Sequence, residues 1–246
     1  MRHGRFLILI FIHIKYFTDH EINADSSYNH VTCGSLITLH NPSRDVYLHS
    51  SNIHYGQGNG QSGQRSVTGA PGVKNGDGYW IVKCRARAVQ GTRVKCDDVI
   101  RLQHSSSRGH LRCHDYTSPL THNKEICVYQ QPEASDERSG DERTGGEEDN
   151  WEVGCGTKYW ERGSEVTLRH VTSGLHLYIA SAVYENMEPY PQHEVCGHRR
   201  AGPWVVGPGV FVQRTGAELG VGNEMDFERY VYEIGCGAFH CNVLMG

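Results

Sequence analysis

Sixteen histidines and nine cysteines are the residues of this chain best suited to metal binding or redox chemistry. His49, His54, His104, His110, His114, His122 and His170 fall near the ends of expected strands, where some could converge. No His-x-His or His-x3-His pair is backed by a nearby carboxylate cluster, however, and no Cys-x-x-Cys occurs. A zinc ribbon and a thioredoxin-like redox site both need such spacing. Cys236, His240 and Cys241 offer two thiols and one imidazole in a tail, which is a weaker set. Nucleophilic catalysis finds no support either. Gly-x-Ser-x-Gly is absent, and no Ser or Cys has an activated sequence context. The Gly-rich run Tyr55 to Gly63 lacks the Lys-Ser/Thr and strand-to-helix setting of a phosphate loop. Paired carboxylates for glycoside chemistry need concave placement, while the acids here crowd into one run. The reading is a non-enzyme with no metal and no cofactor, so function must come from binding.

The elements that position such residues begin after a leader. Arg2 and Arg5 precede the nine-residue apolar run Phe6 to Ile14. A bilayer span needs about 20 apolar residues, so residues 1–24 read as a signal peptide, with Ala24 at the cleavage position. No later segment approaches transmembrane length, and the mature chain is expected to be soluble. In the oxidising secretory pathway some cysteines should pair, and an odd count leaves at least one over. The sequence alone does not assign the partners. Net charge is −4, which gives no basic field for nucleic acid. The one Asn-x-Ser/Thr sequon, Asn41-Pro42-Ser43, is blocked by its proline.

Self-similarity then organises the chain. Ile37-Thr38-Leu39-His40-Asn41, Ile100-Arg101-Leu102-Gln103-His104 and Val166-Thr167-Leu168-Arg169-His170 share the period-2 pattern of a half-buried strand. A second Leu follows nine residues after each first: Leu48, Leu111 and Leu177. Turn-forming residues separate the two. Gln64 to Gly69 answers Gln192 to Gly197, with Asn123 to Val128 as a weaker middle copy, and each unit ends on Trp-x-Val at Trp80, Trp151 or Trp204. A unit of about four short strands cannot bury its apolar face alone, so three must share one core. Asn41, His104 and His170 read as hydrogen-bonding residues that brace turns.

These segments resemble the MIR repeats of the stromal cell-derived factor 2 family, over roughly Val31 to Val212. The resemblance implies an all-β fold, a β-trefoil of three MIR repeats with pseudo-threefold symmetry and no catalytic centre. The boundaries are 30–86, 93–154 and 157–212, with 213–246 an extension that matches no repeat. It further implies a chaperone accessory of the endoplasmic reticulum lumen. Its expected partners are a J-domain co-chaperone, a BiP-type chaperone and unfolded clients in protein quality control. The alternative is a secreted carbohydrate- or small-ligand-binding module, although a repeat-matched Asp of the lectin type is missing. Because the C-terminus lacks a Lys/His-Asp-Glu-Leu signal, secretion fits as well as lumenal retention. MIR repeats often read Leu-His-Ser-His after the turn. This chain has Leu48-His49-Ser50-Ser51, then Leu111-Arg112-Cys113-His114, then Leu177-Tyr178-Ile179-Ala180.

The run 133–149 carries eight acids and two arginines, a local charge of −6, which leaves the remainder at +2 (−4 minus −6). Such composition predicts a mobile surface loop. Candidate binding residues are therefore His49, Ser50 and His54, Arg112 and His114, and the acids Asp141, Glu142, Glu147, Glu148 and Asp149. Neutralising those five acids is expected to slow association with a basic partner and to leave the melting temperature nearly unchanged.

Overall fold

A computed structural model describes residues 29–58, 60–73, 76–85, 88–130, 146–214, 230–236 and 239–243. The leader, Asp141 and Glu142 lie outside these residues. The described chain is all-β, with a 3-10 turn at Glu147–Asp149.

Alternation selects the strands. In Val99–His104 every second residue (Ile100, Leu102, His104) is buried, and in Glu165–His170 the same holds for Val166, Leu168 and His170. Two-sided strands of this kind close into a barrel when each edge finds a partner. Antiparallel pairs run Ile37 to Trp80, Val82 to Leu102, Ile100 to Trp151, Val153 to Leu168, and Val166 to Trp204. Val205 then returns to His40, which closes the ring. Above it stand three hairpins, formed by Val46–His49 with Thr68–Ala70, His110–Thr117 with Lys124–Tyr129, and His176–Tyr184 with Gln192–His198. Each pairs with the other two, through Cys127 and Ser66 (in the short strand Arg65–Ser66 that leads into Thr68–Ala70), Glu125 and Cys196, and His193 and Gly69.

The opposite end is closed by a triangle of backbone bonds. Val31 N donates to Trp160 O (2.8 Å), Trp160 N to Val94 O (2.8 Å) and Val94 N to Val31 O (2.9 Å). These residues each lie eight positions before Leu39, Leu102 or Leu168, which accounts for Trp160, the tryptophan outside the Trp-x-Val pattern. All six aligned leucines, and Trp80, Trp151, Trp160 and Trp204, are fully buried in one apolar cluster. A buried indole N–H needs an acceptor. Trp80, Trp151 and Trp204 find it in the carbonyls of Leu48, Leu111 and Leu177, at 3.1, 2.9 and 3.0 Å.

The turn after each first strand has a residue at positive φ, four positions beyond Asn41, His104 or His170: Asp45 (52°), Arg108 (63°) and Gly174 (70°). The buried polar residue braces that turn. His104 Nδ1 faces Ser107 Oγ at 2.8 Å, and Nε2 faces the Asp77 carbonyl at 3.1 Å. A carbonyl only accepts, so Nε2 carries the proton and Nδ1 accepts from serine. His170 repeats this with Ser173 Oγ (2.8 Å) and Glu148 O (2.9 Å). Asn41 does the same work by accepting from Arg44 N (3.1 Å) and donating to Pro203 O (2.8 Å).

This geometry sets a pH dependence. Burial lowers the pKa of both His104 and His170, against the pull of the carbonyl each one bonds. The unfolded chain then binds protons more readily, so their contribution is intact above about pH 6.5 and is lost as pH falls below it. Thermal melts from pH 7.5 to 5 should show a falling melting temperature. The double variant His104→Asn/His170→Asn, which copies Asn41, should flatten that slope. An unaltered slope would remove these two imidazoles from the acid response.

After the third hairpin the chain continues as Val210–Arg214, paired to Leu36, then Tyr230–Cys236 and Phe239–Val243 in an antiparallel meander. Among the described residues, the tail expected to match no repeat thus contributes two further strands.

Candidate functional site

The hairpin strand that follows each turn carries the predicted binding positions, and the structure separates them. Ser50 is fully buried, with Oγ donating to Ser66 O (2.8 Å) and N donating to Asp77 O (2.8 Å), so it serves the fold. His49 is buried beside it, with Nδ1 3.4 Å from Thr68 Oγ1 and Nε2 4.0 Å from an Asp77 carboxylate oxygen. Desolvation lowers its pKa, opposed by Asp77 and Gln192. His54 is exposed and forms an isolated bridge to Arg65.

The second hairpin gathers the rest. Arg112 Nε donates to Asp149 Oδ1 at 2.6 Å and Nη2 donates to Oδ2 at 3.1 Å, a two-point pair in which the Asp149 side chain has no exposed surface. Oδ2 also accepts from Gly146 N at 2.7 Å. Arg112 Nη1 lies 3.2 Å from Glu148 Oε2, and its guanidinium stacks 3.5 Å above the Tyr129 ring. Burial pulls the Arg112 pKa down, but the Asp149 carboxylate more than offsets this and leaves it raised. His114 meets the edges of Tyr116 and Tyr129, and its pKa is lowered by burial and by Arg112.

A mobile run up to Asp149 is therefore corrected at its last four residues. Gly146 to Asp149 are docked against the second hairpin, because Asp149 lies two positions before the buried Trp151 and Arg112 meets it there. Arg112 is occupied by the chain's own acid. Glu147 and Glu148 remain exposed.

Sequence reasoning passed over two buried carboxylates, Glu125 and Glu194, each standing just before a buried hairpin residue, Ile126 or Val195. Glu125 accepts from Ser62 N at 3.2 Å and from Ser62 Oγ. Glu194 accepts from Leu120 N (2.7 Å), Thr121 N (3.1 Å) and the Tyr184 hydroxyl (3.3 Å). Both tie hairpin tips down. Register alone could have found them, since the aligned position holds Ser66 in the first unit.

Cysteine pairing also follows that register. Cys33 pairs with Cys84 and Cys96 with Cys155. In each pair the first cysteine is six residues before the strand Leu (Leu39, Leu102) and the second four after the Trp (Trp80, Trp151). The third unit has Arg162 and Pro208 at those places, and Arg162 stacks 3.7 Å over Phe211 instead. Cys113, Cys127 and Cys196 are unpaired and buried. Burial pushes the Cys113 thiol to about 11 and that of Cys196 to about 12, and raises Cys127 as well. As protonated thiols they are poor nucleophiles. Among the described residues no group of three or more His, Cys, Asp or Glu side chains is placed to hold a metal ion.

The ring of strands and its packed polar residues define an all-β protein with a closed, barrel-like sheet. Comparison with known proteins adds the family. The human stromal cell-derived factor 2 is 36% identical over 161 residues, 65% of this chain and 70% of that protein. The stromal cell-derived factor 2-like protein of Arabidopsis thaliana is 31% identical over 85% of this chain and 95% of its own length. A crystal structure of the Arabidopsis SDF2-like protein superposes with a TM-score of 0.64 at 32% identity, covering 75% of this chain and 98% of that one. No family model matches the chain. This chain belongs to the stromal cell-derived factor 2 family.

Proposed function

We propose that this protein is a β-trefoil of three MIR repeats that acts without catalysis, as an accessory to chaperones in the endoplasmic reticulum lumen. It associates with a J-domain co-chaperone and a BiP-type chaperone and holds unfolded clients during quality control. Family membership is the observation that carries this reading. The three-way recurrence of the Trp-to-Leu carbonyl bond supports the repeat architecture. The disulfides Cys33–Cys84 and Cys96–Cys155 suit an oxidising compartment, as does the signal-peptide reading of residues 1–24.

The test is an affinity purification of the mature chain from a lumenal extract, with mass spectrometry of what co-elutes. Recovery of a J-domain co-chaperone and BiP is the expected result. Binding to a glycan array with neither chaperone recovered would overturn it in favour of a carbohydrate-binding module.

A further inference from the structure

Three seams join the barrel to the hairpins, and their charge differs in a way the fold does not require. At each, the segment before a Trp-x-Val strand lies under the turn of the next unit. In the first, Ser105 N donates to Tyr79 O (3.0 Å) and Ser105 Oγ to Gly76 O (3.1 Å), so the segment bears Asp77. In the second, Val171 N donates to Asn150 O (3.0 Å), and the segment bears Glu147, Glu148 and Asp149. The third is formed by Asn41 Nδ2 bonding Pro203 O at 2.8 Å and by Val205 pairing with His40. Its segment bears Arg199 and Arg200, and the facing turn adds Arg44.

All three arginines are exposed, and among the described residues no ion pair reaches their side chains. The one acid of the facing turn, Asp45, is held by His40 Nε2 at 2.9 Å. The first two seams also place a basic side chain on the hairpin opposite their own acid, the His49 imidazole at 4.0 Å from Asp77 and the Arg112 guanidinium at 3.2 Å from Glu148. The third has Tyr178 there, stacked on His198 at 4.7 Å. The second seam thus shows an acidic turn seated against arginine, while the third presents arginines and an aromatic pair and has no acid on its segment 199–203.

From this we infer that the Arg44–Arg199–Arg200 seam binds an acidic segment of a partner polypeptide. Guanidinium groups match carboxylates in two-point hydrogen bonds, which a point-charge ammonium cannot reproduce. Three arginines fall short of the roughly four to eight basic residues by which proteins hold anionic membranes. The chain's net charge of −4 also opposes an extended anionic surface. The inference does not depend on the chaperone reading.

The experiment measures anisotropy of a fluorescein-labelled hexaglutamate peptide titrated with the full mature chain. It is run in about 0.01 M salt, where the Debye length is about 30 Å, and in about 1 M salt, where it is about 3 Å. Saturable binding at low salt, lost at high salt and weakened at least tenfold in Arg44→Ser/Arg199→Ser/Arg200→Ser, is expected. Arg108→Gly, in the turn of the first seam, should bind like the parent chain. Equal binding by the triple variant would overturn the proposal. So would capture of phosphatidylserine vesicles without peptide binding, or self-association of the parent chain that the triple variant abolishes, since these assign the seam to a membrane or to a second copy.

Discussion

Replacing Asp149 by Ala is expected to lower the free energy of unfolding by about 3–5 kcal/mol, the usual cost of stranding one partner of a buried ion pair. The Arg112 side chain keeps only 9% of its surface exposed, so without Asp149 its charge stays desolvated. The Gly146 N–H loses its acceptor in the same step. Glu148 offers incomplete relief, since its own side chain is 54% exposed and screened by water. Urea titrations would measure the loss, and Glu147→Gln, on the exposed side of the same turn, should stay within about 0.5 kcal/mol of the parent. Arg112→Met/Asp149→Leu should recover most of what Asp149→Ala loses, because removing both charges removes the desolvation penalty. A cost below about 1 kcal/mol for Asp149→Ala would demote the pair to a solvated surface bridge. The outcome matters for the acidic run as a whole. Neutralising its five candidate acids together cannot leave the melting temperature unchanged, because Asp149 is one of them.

Loss of the Cys33–Cys84 and Cys96–Cys155 disulfides should have the larger combined effect. Cys33–Cys84 spans 51 residues and Cys96–Cys155 spans 59. In the chain-entropy account, closing loops of that length constrains the unfolded ensemble by about 4 kcal/mol each. The two loops do not overlap in sequence, so their contributions should nearly add. Their sum of about 8 kcal/mol is comparable to the whole 5–15 kcal/mol stability of an ordinary domain. Cys33→Ser/Cys84→Ser should therefore fold but melt lower by roughly 8–16 °C, at about 2–4 °C per kcal/mol for a domain of this size. The variant lacking both pairs should fail to give a cooperative transition at 37 °C. Circular dichroism melts with and without dithiothreitol give the same comparison in the parent chain. A shift of less than about 2 °C on full reduction would show that the links add little to a barrel already closed by hydrogen bonds.

What the sequence determined by itself is the repeated packing problem. Leu39, Leu102 and Leu168 face inward because alternation and spacing demand it, and each Trp-x-Val strand must bury its indole against the preceding hairpin. The same register, carried over to the cysteines, would also have assigned both disulfides. Asn41, His104 and His170 were legible as turn braces for a similar reason: a polar residue at an inward strand end needs partners, and the adjacent turn supplies them. The meander of Tyr230–Cys236 and Phe239–Val243 was not legible, because it repeats nothing and its pairing to Val210–Arg214 is set by the barrel edge at Leu36.

Charge was decided by tertiary structure. Composition places a −6 run in solvent, since an average over seventeen residues cannot say which carboxylate meets a cation. Asp149 and Arg112 are 37 positions apart, and only the second hairpin, folding back over the strand that begins at Trp151, brings them to 2.6 Å. The arginines of the third seam are separated further still, with Arg44 and Arg199 joined only where Trp204–Val206 closes the barrel on Leu39–Asn41. Hydrophobic burial acts through a pattern that every local segment carries. Electrostatic pairing acts through distances of a few ångströms, and in this protein those distances exist only once the ring is shut.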